Sequence, residues 1–308
     1  MSPPDSILLI AFGGPEKPED IRPFLQLVTA GRQIPAERLE EVAHHYEVIG
    51  GRSLLNELTF KQAKGLRRAL KREGLSHPVF VGMRNWHPFL HETLAAMKDV
   101  GHRQALGIIL SSFQTEASWE RYMADVAAAR EKVGPGAPEV SYAPAWFDHP
   151  RFIDAIADRV AEALGRVAPE GRKAAPVVFT AHSVPTAMAD GSPYVAQFTA
   201  ASRAAAARLD HPRWSVAYQS RSGSPRKPWL EPDISDALRG LAREGISDVV
   251  VAPIGFVCDH VEVLYDLDVE ARQLVEKLGM RFHRAAAVND HPAFVGMLVD
   301  LARAALGR

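Results

Sequence analysis

The sequence predicts an α/β protein made of two similar halves, each a mostly parallel sheet covered by helices. Two observations carry that expectation. Short apolar runs alternate with amphipathic stretches along the chain, the signature of strand–helix units on a parallel sheet. An internal echo then divides it. Ile7–Pro15 and Val177–Pro185 each read as a strand ending in A-x-x-x-P. Asp148-His149-Pro150-Arg151-Phe152 is matched by Asp290-His291-Pro292-Ala293-Phe294. Both matches fall in the same order, which favours duplication over chance. The expected division is 1–148 with 292–308 against 149–291.

In chain order, the apolar runs that read as buried strands are Ile7–Ala11, Val79–Gly82, Ala105–Leu110, Val177–Ala181, Ser215–Tyr218, Val249–Pro253 and Arg281–Arg284. Amphipathic periodicity predicts helices at Ala36–Tyr46, Thr59–Glu73, Glu92–Val100, Ser118–Lys132, Pro150–Gly165, Val195–Leu209, Ser235–Glu244, Asp259–Leu278 and Pro292–Leu306. Gly and Pro clusters at Gly134–Pro138 and Ser222–Pro232 read as loops. In open α/β sheets ligands sit outside the carboxyl ends of the strands. The echo therefore makes Phe12 and His182 counterparts about a pseudo-twofold axis, expected near opposite walls of one cleft.

Composition narrows the function. The 308 residues carry 36 Lys plus Arg against 37 Asp plus Glu, so no long-range field recruits nucleic acid or an anionic membrane. Any anionic ligand must be met by local groups. Cys258 is the only cysteine, which excludes an intrachain disulfide and a cysteine-ligated iron–sulfur cluster and fits a reducing cytoplasm. Met1–Asp5 is polar and proline-rich and does not read as a signal peptide. No apolar stretch approaches the ~20 residues of a membrane span.

Three groups of residues could carry chemistry. His182 ends a strand at the crevice, and reads either as a turn histidine bonded to backbone or as a base or metal ligand. Downstream, Asp259 reads as an N-cap, and helical phase then aligns Glu262, Asp266 and Glu270 at intervals of four with no Lys or Arg between them on that stripe. A capping box between Asp259 and Glu262, a solvated face and a path for a cation all fit that row. His260 is turned away from Glu262 and reads as structural. The spacing is not H-E-x-x-H, and no phosphate-binding glycine loop is present. The third group, Phe12, Tyr46, Trp86, Tyr122, Trp229, Ser53, Arg52 and Arg84, would together suit a large flat ligand with carboxylate rims.

The strings LLIAFGGP (Leu8–Pro15), YEVIGG (Tyr46–Gly51), AHSVP (Ala181–Pro185), YQSRSGSPRKPWLEPDI (Tyr218–Ile234) and Pro253–Glu270 resemble ferrochelatases, in particular the actinobacterial and Firmicute type acting on coproporphyrin III. The resemblance implies two Rossmann-like (chelatase-type) domains related by a pseudo-twofold, with porphyrin in the cleft. It implies His182 and Glu262 as catalytic and metal-site residues and places Asp266 and Glu270 in the acidic metal row. Porphyrin contacts fall on Phe12, His45, Tyr46, Ser53 and Tyr122. The reaction implied is insertion of ferrous iron, a substrate and not a cofactor, with release of two protons. A monomer is expected, with a haem-accepting protein as a further partner. Phe12 stands where many Firmicute members have tyrosine, Thr29-Ala30 where relatives carry arginine, His45 for arginine, and Leu54 for proline. That leaves protoporphyrin IX as an alternative substrate, and a non-catalytic porphyrin-binding protein as an alternative function.

Overall fold

The structure is a computed structural model that describes residues 3–31, 34–222 and 227–307. Four positions of the expected loop Ser222–Pro232, 223–226, lie outside the described residues. The chain forms two compact units, the first of Met1–Ser111, Ala117–Ala145 and Asp290–Arg308, the second of Ser112–Glu116 and Trp146–Asn289.

In the first unit, β1 (Ser6–Ala11), β2 (Val79–Met83), β3 (Gln104–Ile109) and β4 (Glu139–Tyr142) form one parallel sheet in the order β2-β1-β3-β4. All six residues of β1 are buried. A central strand covered on both faces needs a continuous apolar run, and Ile7-Leu8-Leu9-Ile10 supplies it. β4 is an edge strand whose residues alternate between exposed and half-buried. It offers no apolar run, which is why sequence reading passed over it. The helices are α1 (Ile21–Val28), α2 (Ala36–Val48), α3 (Leu55–Arg72), α4 (Leu90–Asp99) and α5 (Arg121–Val133), the last preceded by a π-helical turn at Glu116–Glu120. α1 was also missed, although Ile21, Phe24 and Leu25 bury one face of it.

In the second unit, β5 (Val177–His182), β6 (Trp214–Gln219), β7 (Asp248–Ala252) and β8 (Arg281–Arg284) pair in parallel in the order β6-β5-β7-β8. This strand order repeats that of the first unit. Its helices are α6 (Pro150–Leu164), α7 (Thr186–Asp190), α8 (Tyr194–Arg208), α9 (Ile234–Arg243), α10 (Val261–Tyr265) and α11 (Arg272–Lys277). Ser112–Glu116 joins this unit through a reciprocal bond. The Gln114 N–H donates to Gln197 Oε1 at 2.8 Å, and Gln197 Nε2 donates to Gln114 Oε1 at 2.6 Å.

The repeated D-H-P-x-F string has a local physical cause. His149 Nδ1 accepts the Arg151 N–H at the start of α6. His291 Nδ1 does the same for Ala293 at the start of the last helix, α12 (Pro292–Ala305). In each case proline occupies the first helical position, where its missing N–H costs nothing. Phe152 and Phe294 are then fully buried. α6 packs on α8, β7 and β8, whereas α12 packs on α3, where Val295 lies against Gly65. No helix among the described residues is long and apolar enough to cross a membrane.

Candidate active site

His182 is the last residue of β5, where the parallel pairing with Gln219 of β6 ends. The turn beyond it is fixed by backbone: the Ser183 N–H donates to Gln219 O at 2.7 Å. From the far side of β5, Gly255 approaches so closely that a Cβ there would lie 2.6 Å from Ala181 Cα. Tyr194, pushed up in pKa by burial beside Tyr218 and Glu262, stays protonated and donates to His182 O at 2.8 Å. The strand end is therefore held on three sides.

The imidazole bonds through Nδ1 to Ser183 O. A carbonyl oxygen only accepts, so Nδ1 carries a proton, and Nε2 is the nitrogen left for a proton or a metal. Nε2 lies 3.7 Å from Glu262 Oε1. One nitrogen of His182 is thus bonded to backbone, as expected of a turn histidine, and the other faces Glu262.

Glu262 belongs to α10, and here the structure corrects the sequence. Asp259 is not the N-cap, and it makes no capping box with Glu262. His260 caps the helix, its Nδ1 accepting the Glu262 N–H at 3.2 Å while its ring meets Phe256 edge-on. The expected continuous helix over Asp259–Leu278 is also interrupted: α10 gives way to a π-helical turn at Asp266–Ala271 before α11. In an α-helix, residues four apart drift by about 40° around the axis. A π turn rotates less per residue, so Glu262, Asp266 and Glu270 remain on one side. Asp266 accepts a hydrogen bond from Ser220 Oγ, on a residue with φ +61°. Gln219 Nε2 donates to Glu262 O at 2.7 Å, tying the end of β6 to α10. Burial, followed by the charges of Glu262 and Glu270, pushes the Asp266 carboxyl up to about 7. No group of three or more His, Cys, Asp or Glu side chains among the described residues could hold a metal ion. The expected metal residues are therefore a His182–Glu262 pair followed by a carboxylate row, and not a closed cage.

The first unit holds the expected porphyrin contacts. Phe12 follows β1 and is 36% exposed. Its ring meets Phe24 edge-on, and Phe24 meets Tyr46 and Trp86 in the same way. The turn beyond it depends on Gly13 (φ +86°), where a Cβ would lie 2.9 Å from the Trp86 backbone nitrogen. Arg84, paired with Asp125, stands 5.6 Å from the Phe12 ring centroid and 4.5 Å from that of Tyr122. Tyr46, Ser53 and Tyr122 are buried, and His45 is half-buried. Ser53 Oγ accepts the Leu55 N–H, and its side chain fills the space that a Cβ on Gly14 would occupy. Phe12 and His45 thus offer more accessible surface than the other three. Sequence reading missed Tyr194, Gln219, Ser220, Asp268 and Arg284. Asp268 was legible as one more acid in the segment, but its partner Arg284 lies sixteen residues downstream.

The profile of the family described as Ferrochelatase matches residues 4–306. A coproporphyrin III ferrochelatase of Nocardia farcinica is 44% identical over 307 residues, covering 97% of this chain and 87% of that protein. A ferrochelatase of Rhodopirellula baltica is 40% identical over 309 residues, covering 100% of this chain and 88% of that protein. Among solved structures, SirB from Bacillus subtilis with Fe3+ is similar in fold, with a TM-score of 0.59 at 13% identity over 98% of this chain and 95% of that one.

Proposed function

The chain belongs to the ferrochelatase family, and on that premise we propose that it inserts ferrous iron into coproporphyrin III. The observation that carries the proposal is the orientation of His182: with Nδ1–H given to Ser183 O, Nε2 is the nitrogen left to act as base, 3.7 Å from Glu262 Oε1. Insertion replaces two pyrrole N–H bonds by bonds to iron and releases two protons. Nε2 takes a pyrrole proton, and Glu262 stabilises the resulting imidazolium and passes the proton on. Imidazole and carboxylate together also suit a borderline ion such as ferrous iron. Asp266, poised near neutrality, and the exposed Glu270 form the approach to that pair. An open row of carboxylates favours passage of a cation over its retention, as a substrate metal requires. On the porphyrin, Phe12 stacks against the macrocycle, and His45, Tyr46, Ser53 and Tyr122 complete its contacts. The protein works in the cytoplasm and hands its product to a haem-accepting protein.

His182→Ala tests this reading. Iron insertion is expected to be lost, while porphyrin affinity stays within about tenfold, under ~1.4 kcal/mol, because ring contacts dominate binding. Rate assay and fluorescence titration on the same variant decide it. Turnover near that of the wild type would remove His182 from the mechanism.

A further inference from the structure

One side chain, Arg284, bonds residues on both sides of Glu262 and Asp266. Arg284 ends β8, and its side chain is only 15% exposed. Its Nε donates to both carboxylate oxygens of Asp268, at 2.7 and 2.8 Å. Its Nη1 donates to Asp259 Oδ1 at 2.7 Å. Asp259 immediately precedes the capping histidine of α10, and Asp268 lies inside the π-helical turn. One planar guanidinium therefore spans the ten residues from Asp259 to Asp268, which contain Glu262 and Asp266, gripping the segment at both ends. The remaining valences of Asp259 go to the same region: Oδ1 accepts the Ala287 N–H at 3.2 Å, and Oδ2 accepts Asn289 Nδ2 at 2.7 Å.

A π turn carries an extra residue and poorer hydrogen-bond economy than the α-helix around it, so its location must be imposed by its surroundings. A lysine could not impose it, since an ammonium is a point charge while the arginine fork binds in fixed geometry. We infer that Arg284 is a positioning residue, which through Asp259 and Asp268 fixes where the helix widens and so holds Glu262 opposite His182 and Asp266 behind it. The inference rests on the proposed role of Glu262 and Asp266 in metal insertion. It adds a residue that touches neither iron nor porphyrin.

The test compares Arg284→Lys, which keeps the charge but reaches one anchor only, and Asp268→Ala, which removes the partly exposed anchor and leaves Arg284 paired with Asp259. The control is Asp248→Ala. Asp248 is more deeply buried than Asp268 and bridges Arg281 and His283, but it sits at the start of β7. Both clamp variants are expected to lower kcat/KM for ferrous iron about tenfold, with the coproporphyrin Kd within about twofold. The control is expected to lose thermal stability and keep kcat/KM. Hydrogen exchange on metal-free protein is read alongside: amides 262–271 should exchange at least about tenfold faster in Asp268→Ala, with those of β7 unchanged. Unchanged kcat/KM in both clamp variants, an equal loss in the control, or unchanged exchange over 262–271 would each overturn the clamp. If the wild-type protein inserts no iron, the proposed function falls, and the exchange measurement still decides the clamp.

Discussion

Asp266 carries a charge that the fold opposes. Burial comes first, the neighbouring Glu262 and Glu270 charges add to it, and together they raise its carboxyl from the ordinary value of 3.8 to about 7. A carboxyl whose pKa is raised by folding favours the protonated state. Its contribution to stability is complete below about pH 4 and is lost as pH rises through about 7. Asp266→Asn keeps an acceptor for Ser220 and carries no charge at any pH. It is expected to melt higher than wild type at pH 8, on the order of 5 °C, with the gap closing toward pH 4. A scan of melting temperature against pH checks this, and a pH-independent gap would place the effect in packing. The acid itself was visible in the sequence from its spacing to Glu262 and Glu270. Its partner Ser220 was not, because that contact depends on a residue at φ +61° at the end of a strand 46 positions away.

Among the elements, the central strands were the most legible and the interrupted helix the least. β1, β5 and β7 are almost wholly buried, and each carries an apolar run, Ile7–Ala11, Val177–Phe179 and Val249–Ala252, that a strand covered on both faces needs. β4, at a sheet edge, carries no such pattern. The π-helical turn at Asp266–Ala271 left no periodic trace, since its position depends on Arg284 reaching back from β8. The reading of Asp259 as an N-cap failed for the same reason: a neighbouring strand had already claimed its carboxylate. Along the acidic row, Glu262→Gln should depress turnover most, while Glu270→Gln, at the exposed end, should mainly raise the iron concentration required. Steady-state kinetics against iron separates the two, and equal effects would show that the row is not a path. The turn after β7 gives a paired prediction. Gly255→Ala drives a Cβ into Ala181 beside His182, and is expected to cost about 1–3 kcal/mol and to slow insertion. Gly240→Ala in α9 has open space and should stabilise by about 0.5–1 kcal/mol. Denaturant unfolding and turnover of both variants test it.

At the scale of the whole molecule, the duplication read from two short strings appears as a repeated strand order, β2-β1-β3-β4 and β6-β5-β7-β8. One of those strings, D-H-P-x-F, is a helix-capping device and not a site, so its repetition marks architecture alone. The near balance of 36 basic and 37 acidic residues leaves anion recognition to local groups. Coproporphyrin III, with more carboxylates than protoporphyrin IX, asks more of groups of that kind. The most direct measurement is anaerobic insertion of ferrous iron by the purified protein into an equimolar mixture of coproporphyrin III and protoporphyrin IX, followed by the absorption of each product. The account predicts iron coproporphyrin as the dominant product, and its disappearance in His182→Ala. Preferential metallation of protoporphyrin IX, or no insertion into either, would contradict it.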